Sequence, residues 1–214
     1  MSDAFRINVR DSRIAFLVSD DSTGVKYEPP IKIPGTMQIQ LAPRVAEAIL
    51  YGDGRERHKA VKVTGYDVTF DHNRIPPGVA ARMSGKKYDE TTGVRHSHVN
   101  DQPEPFAWGW VVDLTDNHEE ITWLTKCTMS PPNRDMQQSE DSINYSTESM
   151  TVTALALDYN GYFEHVGDTS DEPSGFDKEK AAAFLESAPA FPPRSDSEQP
   201  GPDLPDGANG VITV

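Results

Sequence analysis

The chain has 214 residues, enough for one well-buried domain with extensions or for two small domains. It carries 34 Asp and Glu against 20 Lys and Arg, a formal net charge of −14, which argues against tight binding of nucleic-acid phosphates. The hydrophobic fraction is only 36%, which indicates either disordered segments or burial gained by assembly with other copies of the chain.

Other features of the sequence are typical of a soluble protein. Cys127 is the single cysteine, which excludes an intramolecular disulfide. No apolar run approaches the roughly 20 residues of a membrane span. Residues 1–13 mix Asp and Arg among apolar side chains and lack the apolar core of a secretion signal. We therefore expect a protein that is made in the cytoplasm and has no membrane contact.

The first third of the chain predicts strands separated by turns. Four segments are rich in apolar residues, which in the clearest cases alternate with polar ones: Ile14–Ser19, Met37–Leu41, Val45–Tyr51 and Val61–Phe70. Gly52-Asp53-Gly54 is a strong turn signal. The charged residues 55–59 that follow are expected to form a solvated excursion.

A short helix and a long loop follow. Pro76-Pro77 suits the first turn of a helix, apolar residues recur every four positions as far as Met83, and Gly85 ends the pattern. Lys86–Pro105 has no periodicity and predicts a loop, in which Thr92-Gly93-Val94 fits a short edge strand.

Phe106–Leu114 has the clearest strand pattern of the chain. Every second residue is large and apolar, whereas Ala107 and Gly109 leave the opposite face nearly bare. An open face carrying Trp108 and Trp110 would be a platform for stacking sugars or bases. The strict alternation favours the other interpretation, in which these side chains pack in the core.

The next strand forms a hairpin with this one. Asp116-Asn117 is the predicted turn, and Ile121–Met129 is the returning strand. Ile121, Trp123 and Cys127 are expected to share one of its faces. Aromatic residues on two adjacent strands are typical of an antiparallel pair.

Two more strands and a helix are expected after this hairpin. Ser142–Tyr159 alternates over a long span, and Tyr162–Val166 returns beside it. A helix follows, because apolar residues take positions i, i+3, i+4 and i+7: Ala181, Phe184, Leu185 and Ala188. The predicted fold class is mainly β, an antiparallel β-sandwich or barrel of roughly eight strands with one or two short flanking α-helices.

The last part of the sequence is acidic. From Asp168 to Asp206, ten acidic residues oppose three basic ones, and beyond Pro189 the composition is dominated by Pro, Asp, Ser and Gly. Such a segment cannot bury a core of its own. Only Val211–Val214 has the pattern of an added strand, one suited to pairing with a neighbouring molecule.

The sequence contains no convincing active site. His96-Ser97-His98 places two imidazoles on one side of a loop, but zinc needs three or four converging ligands and nothing fixes a third. Cys127 lies on an apolar strand face, where a packed thiol is favoured over a nucleophile. Nucleophile-elbow and phosphate-loop motifs are absent, and 34 acidic residues produce carboxylate pairs by chance. We expect no enzyme activity, no metal and no cofactor.

The order of the motifs resembles the major tail (tail tube) protein family of long-tailed, non-contractile bacteriophages of Gram-positive hosts. The resemblance covers residues 27–189 and depends on the order and spacing of several short segments. In chain order these are Lys32-Ile33-Pro34-Gly35-Thr36, Leu50-Tyr51-Gly52-Asp53-Gly54, Gly65-Tyr66-Asp67-Val68-Thr69-Phe70, Gly85-Lys86-Lys87-Tyr88-Asp89-Glu90, Gly93-Val94, Pro105-Phe106-Ala107-Trp108-Gly109-Trp110, Thr122-Trp123-Leu124-Thr125-Lys126, Pro131-Pro132, the strand Ser142–Leu157 and the helix Phe176–Ala188.

This resemblance implies a β-sandwich subunit that forms hexameric rings, which stack into a tube in the virion tail. DNA would pass through the lumen without specific binding. The partners would be further copies of the chain and the tape-measure, terminator and distal tail proteins. In this scheme residues 1–12 are an N-terminal arm, 13–191 the tail-tube domain and 192–214 an acidic tail. The candidate residues for contacts between rings are Asp53, Gly54, Arg55, Glu56, Arg57 and Lys59.

Two other interpretations stay open at this point. A tail terminator or distal tail subunit would have the same fold and form single rings instead of tubes. A carbohydrate-binding β-sandwich would use the aromatic side chains of Phe106–Leu114 as its binding platform.

Overall fold

Long antiparallel strands make up most of the fold. The computed structural model describes residues 4–73, 75–131, 148–171 and 175–187. The predicted mainly β class with two short helices is confirmed. The elements are β1 Arg6–Asp21, β2 Gly24–Tyr27, β3 Ile31–Ile33, β4 Thr36–Gly52, β5 Arg55–His72, α1 Pro77–Met83, β6 Lys87–Asp89, β7 Val94–His96, β8 Phe106–Leu114, β9 Glu119–Met129, β10 Glu148–Leu155, β11 Glu164–Asp168 and α2 Lys178–Glu186.

One nine-stranded sheet contains all the strands except the small β6–β7 pair. Its order is β2-β1-β8-β9-β10-β5-β4, with β11 paired to β9 and β3 paired to β1. Strand β3 pairs with β1 and leads directly into β4. Strand β4, at one end of the sheet order, therefore comes close to β1 near the other end. The sheet therefore curls around an interior, as a sandwich or partly closed barrel requires.

Strand β8 lies between β1 and β9 in the sheet and is buried on both faces. Its large side chains Phe106, Trp108 and Trp110 are 0–3% exposed and belong to the interior cluster. The prediction that they pack in the core is confirmed. They do not form an open stacking platform, because their side chains are almost entirely buried.

The bare face of β8 is covered by a second layer. An added Cβ on Gly109 would lie 2.5 Å from the ring of Trp123, so only glycine lets this indole pack flat on the strand. Trp123 Nε1 donates a hydrogen bond of 3.0 Å to the carbonyl oxygen of Phe184 in α2. Helix α2 buries Ala181 and Leu185 against this layer.

The expectation that Ile121, Trp123 and Cys127 share a face is wrong for Cys127. Ile121 and Trp123 lie in the layer under α2, whereas Cys127 lies in the interior cluster. The pairing of β9 with β8 shifts by one residue between Phe106↔Cys127 and Trp108↔Leu124. This bulge reverses the alternation, and composition alone gives no sign of it.

Strand β1 is longer than predicted. Residues 6–12, assigned above to an N-terminal arm, belong to β1, and residues 6–10 pair with β8. The register shifts after Arg6 and again after Arg10, and Asp11 has a positive φ of 52°. These irregularities interrupt the alternation by which the strand would have been recognised.

Other boundaries also differ from the predictions. Residues 55–59, expected to form a solvated excursion, are exposed but belong to the beginning of β5, and the predicted loop contains the β6–β7 hairpin. The strand expected at Ser142–Tyr159 is described only as β10. The expectation that Tyr162–Val166 returns beside it is wrong, because β11 pairs with β9 and not with β10. The acidic segment 192–214, with the strand expected at Val211–Val214, lies outside the described residues.

A buried carboxylate ties the end of β1 to the loop after β10. Asp20 accepts a hydrogen bond of 2.7 Å from Lys126 Nζ and others of 2.9 and 3.0 Å from the backbone N–H groups of Asp158 and Tyr159. Burial alone would raise the pKa of Asp20, but these three donors hold it below its usual value.

Candidate assembly surface

Strands β4 and β5 continue beyond the sheet as a two-stranded ribbon, residues 45–64. They pair from Thr36↔His72 to Gly52↔Arg55, whereas β10 covers β5 only from Gly65 to His72. Eight residues of β4 therefore project past the sheet, a length of about 26 Å at ~3.3 Å per residue. The ribbon is closed by Asp53-Gly54 with φ of 54° and 73°, the two positive φ values of a type I′ turn.

All six sequence-predicted site residues lie at the exposed end of this ribbon: Asp53, Gly54, Arg55, Glu56, Arg57 and Lys59. Arg57 forms an ion pair with Asp53 beside the turn. Lys59 Nζ lies 3.0 Å from Glu47 Oε2 on the opposite strand. The structure thus brings the predicted residues together, but as part of a regular hairpin.

Sequence reasoning missed the apolar residues of the ribbon. One face carries apolar side chains that are 38–68% exposed: Val45, Ile49, Tyr51, Val61 and Val63. The other face carries Leu50, which is 56% exposed, together with alanines and the polar side chains of His58 and Lys62. Isolated two-stranded hairpins are marginally stable in water, and uncovered apolar strands invite association. The alternation of Val61 and Val63 indicated an apolar strand face. Nothing in the sequence indicated that both faces of the ribbon would be exposed to solvent.

The ribbon is also basic in an acidic chain. Residues 45–64 contain Arg55, Arg57, Lys59 and Lys62 against Glu47, Asp53 and Glu56, a net charge of +1 in a chain of −14. The strand from residue 55 to 64 alone carries four of these bases and one acid. This strand therefore favours an acidic partner surface.

The outer face of β4, β5 and β10, here called the polar face, is open to solvent. Gln40, Thr69 and Thr151 are cross-strand neighbours on it, and all three are exposed. Arg44 Nε donates to Asp67 Oδ2 at 2.8 Å, and this hydrogen bond lowers the pKa of the Asp67 carboxyl. Threonine and glutamine predominate, and the central Arg44 and Asp67 charges neutralise each other.

A groove opens where the curled sheet fails to close. Residues 6–9 of β1 and 37–41 of β4 line its two sides, and among the described residues these two strand edges pair with no other strand. We call this groove the seam. It has a volume of about 540 Å³, and Trp110 and Val112 contribute to its lining.

Charged and polar pairs line the mouth of the seam. Arg6 Nη2 lies 2.9 Å from both carboxylate oxygens of Glu120, and the Tyr66 hydroxyl donates to Glu164 at 3.0 Å. The hydrogen bond with Glu120, helped by the charges of Asp168 and Glu164, raises the pKa of Arg6. The groove lining thus carries two carboxylates, those of Glu120 and Glu164, and one guanidinium, that of Arg6.

Cys127 and the two loop histidines, considered above as a nucleophile and as metal ligands, lie in different environments. Burial raises the pKa of the Cys127 thiol, which lies in the core. His96 and His98 are exposed, and in the described ranges no three His, Cys, Asp or Glu side chains come together as a metal site. Uncovered strand surface is therefore the most prominent functional feature of this part of the chain.

Comparison with known proteins identifies no family. Protein-family models gave no match to the chain, and curated proteins gave no significant match either. Within the described ranges, no helix is both long enough and apolar enough to cross a membrane. Function must accordingly be argued from the ribbon, the polar face and the seam.

Proposed function

We propose that the protein is a structural subunit of a bacteriophage tail tube, in which copies join into rings and the rings stack around a channel for DNA. The observation that carries this proposal is the ribbon. It projects about 26 Å beyond the sheet at ~3.3 Å per residue and exposes apolar side chains on both faces. No described segment of its own chain covers these side chains, so a neighbouring copy is the simplest cover.

Closed rings would also satisfy the unpaired strand edges. The outer edge of β4 and the edge of β5 in the ribbon pair with no other strand of the described chain. In a cyclic ring each copy presents one surface to the next copy and a different surface to the previous one. Edges that would cause irregular aggregation in a monomer are then covered in a defined way. Six copies per ring is the number that the family resemblance implies.

The polar face is suited to line the channel. Its threonine and glutamine side chains offer no array of Lys and Arg, which tight binding of phosphates requires. The formal net charge of −14 acts in the same direction, because it repels DNA. DNA would therefore slide along this surface without being held.

Sedimentation velocity and negative-stain electron microscopy test the proposal on two chains. In the first variant Asn-Gly replaces residues 47–61, which shortens the ribbon but leaves the pairing of β5 with β10 intact. In the control variant Asn-Gly replaces the turn residues 90–93 of the exposed β6–β7 hairpin. We expect hollow tubes from the natural and control chains and none from the shortened one. A natural chain that stays monomeric at high concentration would contradict the proposal.

The same images distinguish the alternatives. Single rings that never stack would favour a tail terminator or a distal tail subunit. The carbohydrate-binding alternative loses its expected platform, because Trp108 and Trp110 are 1% and 3% exposed. Tube formation remains the function that the described surfaces support best.

A further inference from the structure

At the seam, the facing edges of β1 and β4 pair with no described strand, and apolar side chains line the groove between them. Strand β3 pairs with β1 at Ser12–Ile14, but β4 then diverges, and no strand of the described ranges pairs with residues 6–9 of β1 on that side. Unpaired N–H and C=O groups on such edges are templates for an added strand. Around them Ile7, Met37 and Val166 are 67%, 55% and 53% exposed.

The charges at the seam are opposite to those of the ribbon. Arg6 pairs with Glu120, and Glu164 also lines the groove, so the lining carries two carboxylates against one guanidinium. The second strand of the ribbon, residues 55–64, has four bases and one acid. Both surfaces also combine apolar side chains with a strand edge that no described strand pairs with. Each can therefore offer the other backbone hydrogen bonds, apolar contacts and opposite charge.

We propose that the seam of one copy binds the ribbon of a second copy. The unpaired edge of the ribbon extends the sheet at the seam, and its apolar face covers the exposed residues there. The inference rests on the proposed self-assembly and identifies where each copy receives its neighbour.

Geometry requires this contact to be intermolecular. Met37 in the seam and Tyr51 near the ribbon tip belong to the same strand β4, 14 residues apart. At ~3.3 Å per residue they are about 46 Å from each other along the strand within one copy. Since seam and ribbon are different surfaces, the contact is heterologous and can close into a ring.

Disulfide cross-linking of the full chain tests the proposal. A chain carrying both Tyr51→Cys and Met37→Cys forms a disulfide only when two Cα atoms approach within about 7 Å, which one copy cannot achieve. Cys127 is buried and does not compete. The matched control carries Tyr51→Cys with Val99→Cys, because Val99 is 92% exposed in a loop outside the seam.

We expect mild oxidation to give a ladder of covalent multimers from the first chain, at least tenfold more abundant than from the control. Equal ladders from both chains would overturn the inference, because they would indicate random collision. Rings or tubes without a ladder would overturn it too, while the proposed function would stand. A third chain carries Met37→Cys with Thr213→Cys. If this chain forms the ladder and the chain with Tyr51→Cys and Met37→Cys does not, the inference is overturned, because a different segment then binds the seam. A chain that never assembles would overturn both proposals.

Discussion

Two substitutions on the apolar face of the ribbon should weaken assembly without weakening the fold. Ile49 and Val61 lie on the same face, paired with Lys59 and Glu47, and are 41% and 51% exposed in the single chain. Replacing both by threonine keeps the β-branched shape that the hairpin needs. Each substitution exchanges apolar surface for a hydroxyl group where a neighbouring copy would pack.

The size of the effect follows from the area that remains to be buried. Complete burial of a valine or isoleucine side chain is worth about 1.5–3 kcal/mol, and roughly half of each side chain is still exposed here. Each substitution should therefore cost ~1 kcal/mol of association free energy. Two of them amount to ~2 kcal/mol, a decrease of about 30-fold in the association constant of each contact.

The assay is the critical concentration for assembly, measured by light scattering and pelleting. We expect it to rise by about 30-fold for Ile49→Thr with Val61→Thr. Val99→Thr is the control, since Val99 is exposed but lies outside the ribbon. An unchanged critical concentration would refute the reasoning. So would a loss of unfolding free energy in the monomer as large as the loss in association.

Three further substitutions test the fold. Gly109→Ala should lower the melting temperature by about 2–10 °C in calorimetry, because its Cβ would lie 2.5 Å from the facing indole ring. Gly65→Ala should cost about 1–3 kcal/mol in denaturant unfolding, since its Cβ would lie 2.3 Å from the carbonyl oxygen of Ala154. In Asp20 the pKa is lowered on folding despite burial, so its contribution is present above about pH 4 and is lost as pH falls further. In Asp20→Asn the unfolding free energy should therefore fall less steeply as the pH is lowered. Chemical denaturation at pH values from about 5 to about 2 measures this dependence.

Each of these three predictions has a clear contradicting result. A melting temperature unchanged by Gly109→Ala would mean that the indole ring shifts without cost. An unchanged denaturation midpoint for Gly65→Ala would mean that β5 and β10 separate freely at this point. An acid dependence equal in Asp20→Asn and the natural chain would show that other carboxylates determine it.

The centre of the fold was predictable because one simple periodicity governs it. In Phe106–Leu114 large residues occupy every second position, and the structure buries them as expected. The short helix after Pro76-Pro77 was also found, because helix-start residues and apolar spacing agree there. The helix containing Ala181 and Leu185 was found from its apolar spacing. Local pattern and tertiary packing give the same answer in these segments.

Bulges account for the main errors. The face of Cys127 and the extent of β1 were wrong because a single extra residue in one strand reverses or interrupts the alternation. The sequence has no residue type that marks these positions reliably. Register is decided by the partner strand, which lies far away along the chain.

The turn sequence predicted where the candidate site lies, but the sequence did not predict which surfaces around it are exposed. Gly52-Asp53-Gly54 indicated the hairpin tip, and the six predicted residues do cluster there. That the ribbon extends past β10, and that β4 and β1 leave the seam between them, depends on strand lengths in three dimensions. Uncovered strand surface is a property of the whole sheet, which a linear pattern does not specify.

A cryo-electron microscopy reconstruction of the assembled protein tests the central claim most directly. We expect a hollow tube of stacked rings, with the polar face of β4, β5 and β10 towards the channel and each ribbon packed on an adjacent copy. The account would be contradicted by a protein that remains monomeric at every concentration, or by assemblies in which the ribbon stays exposed to solvent.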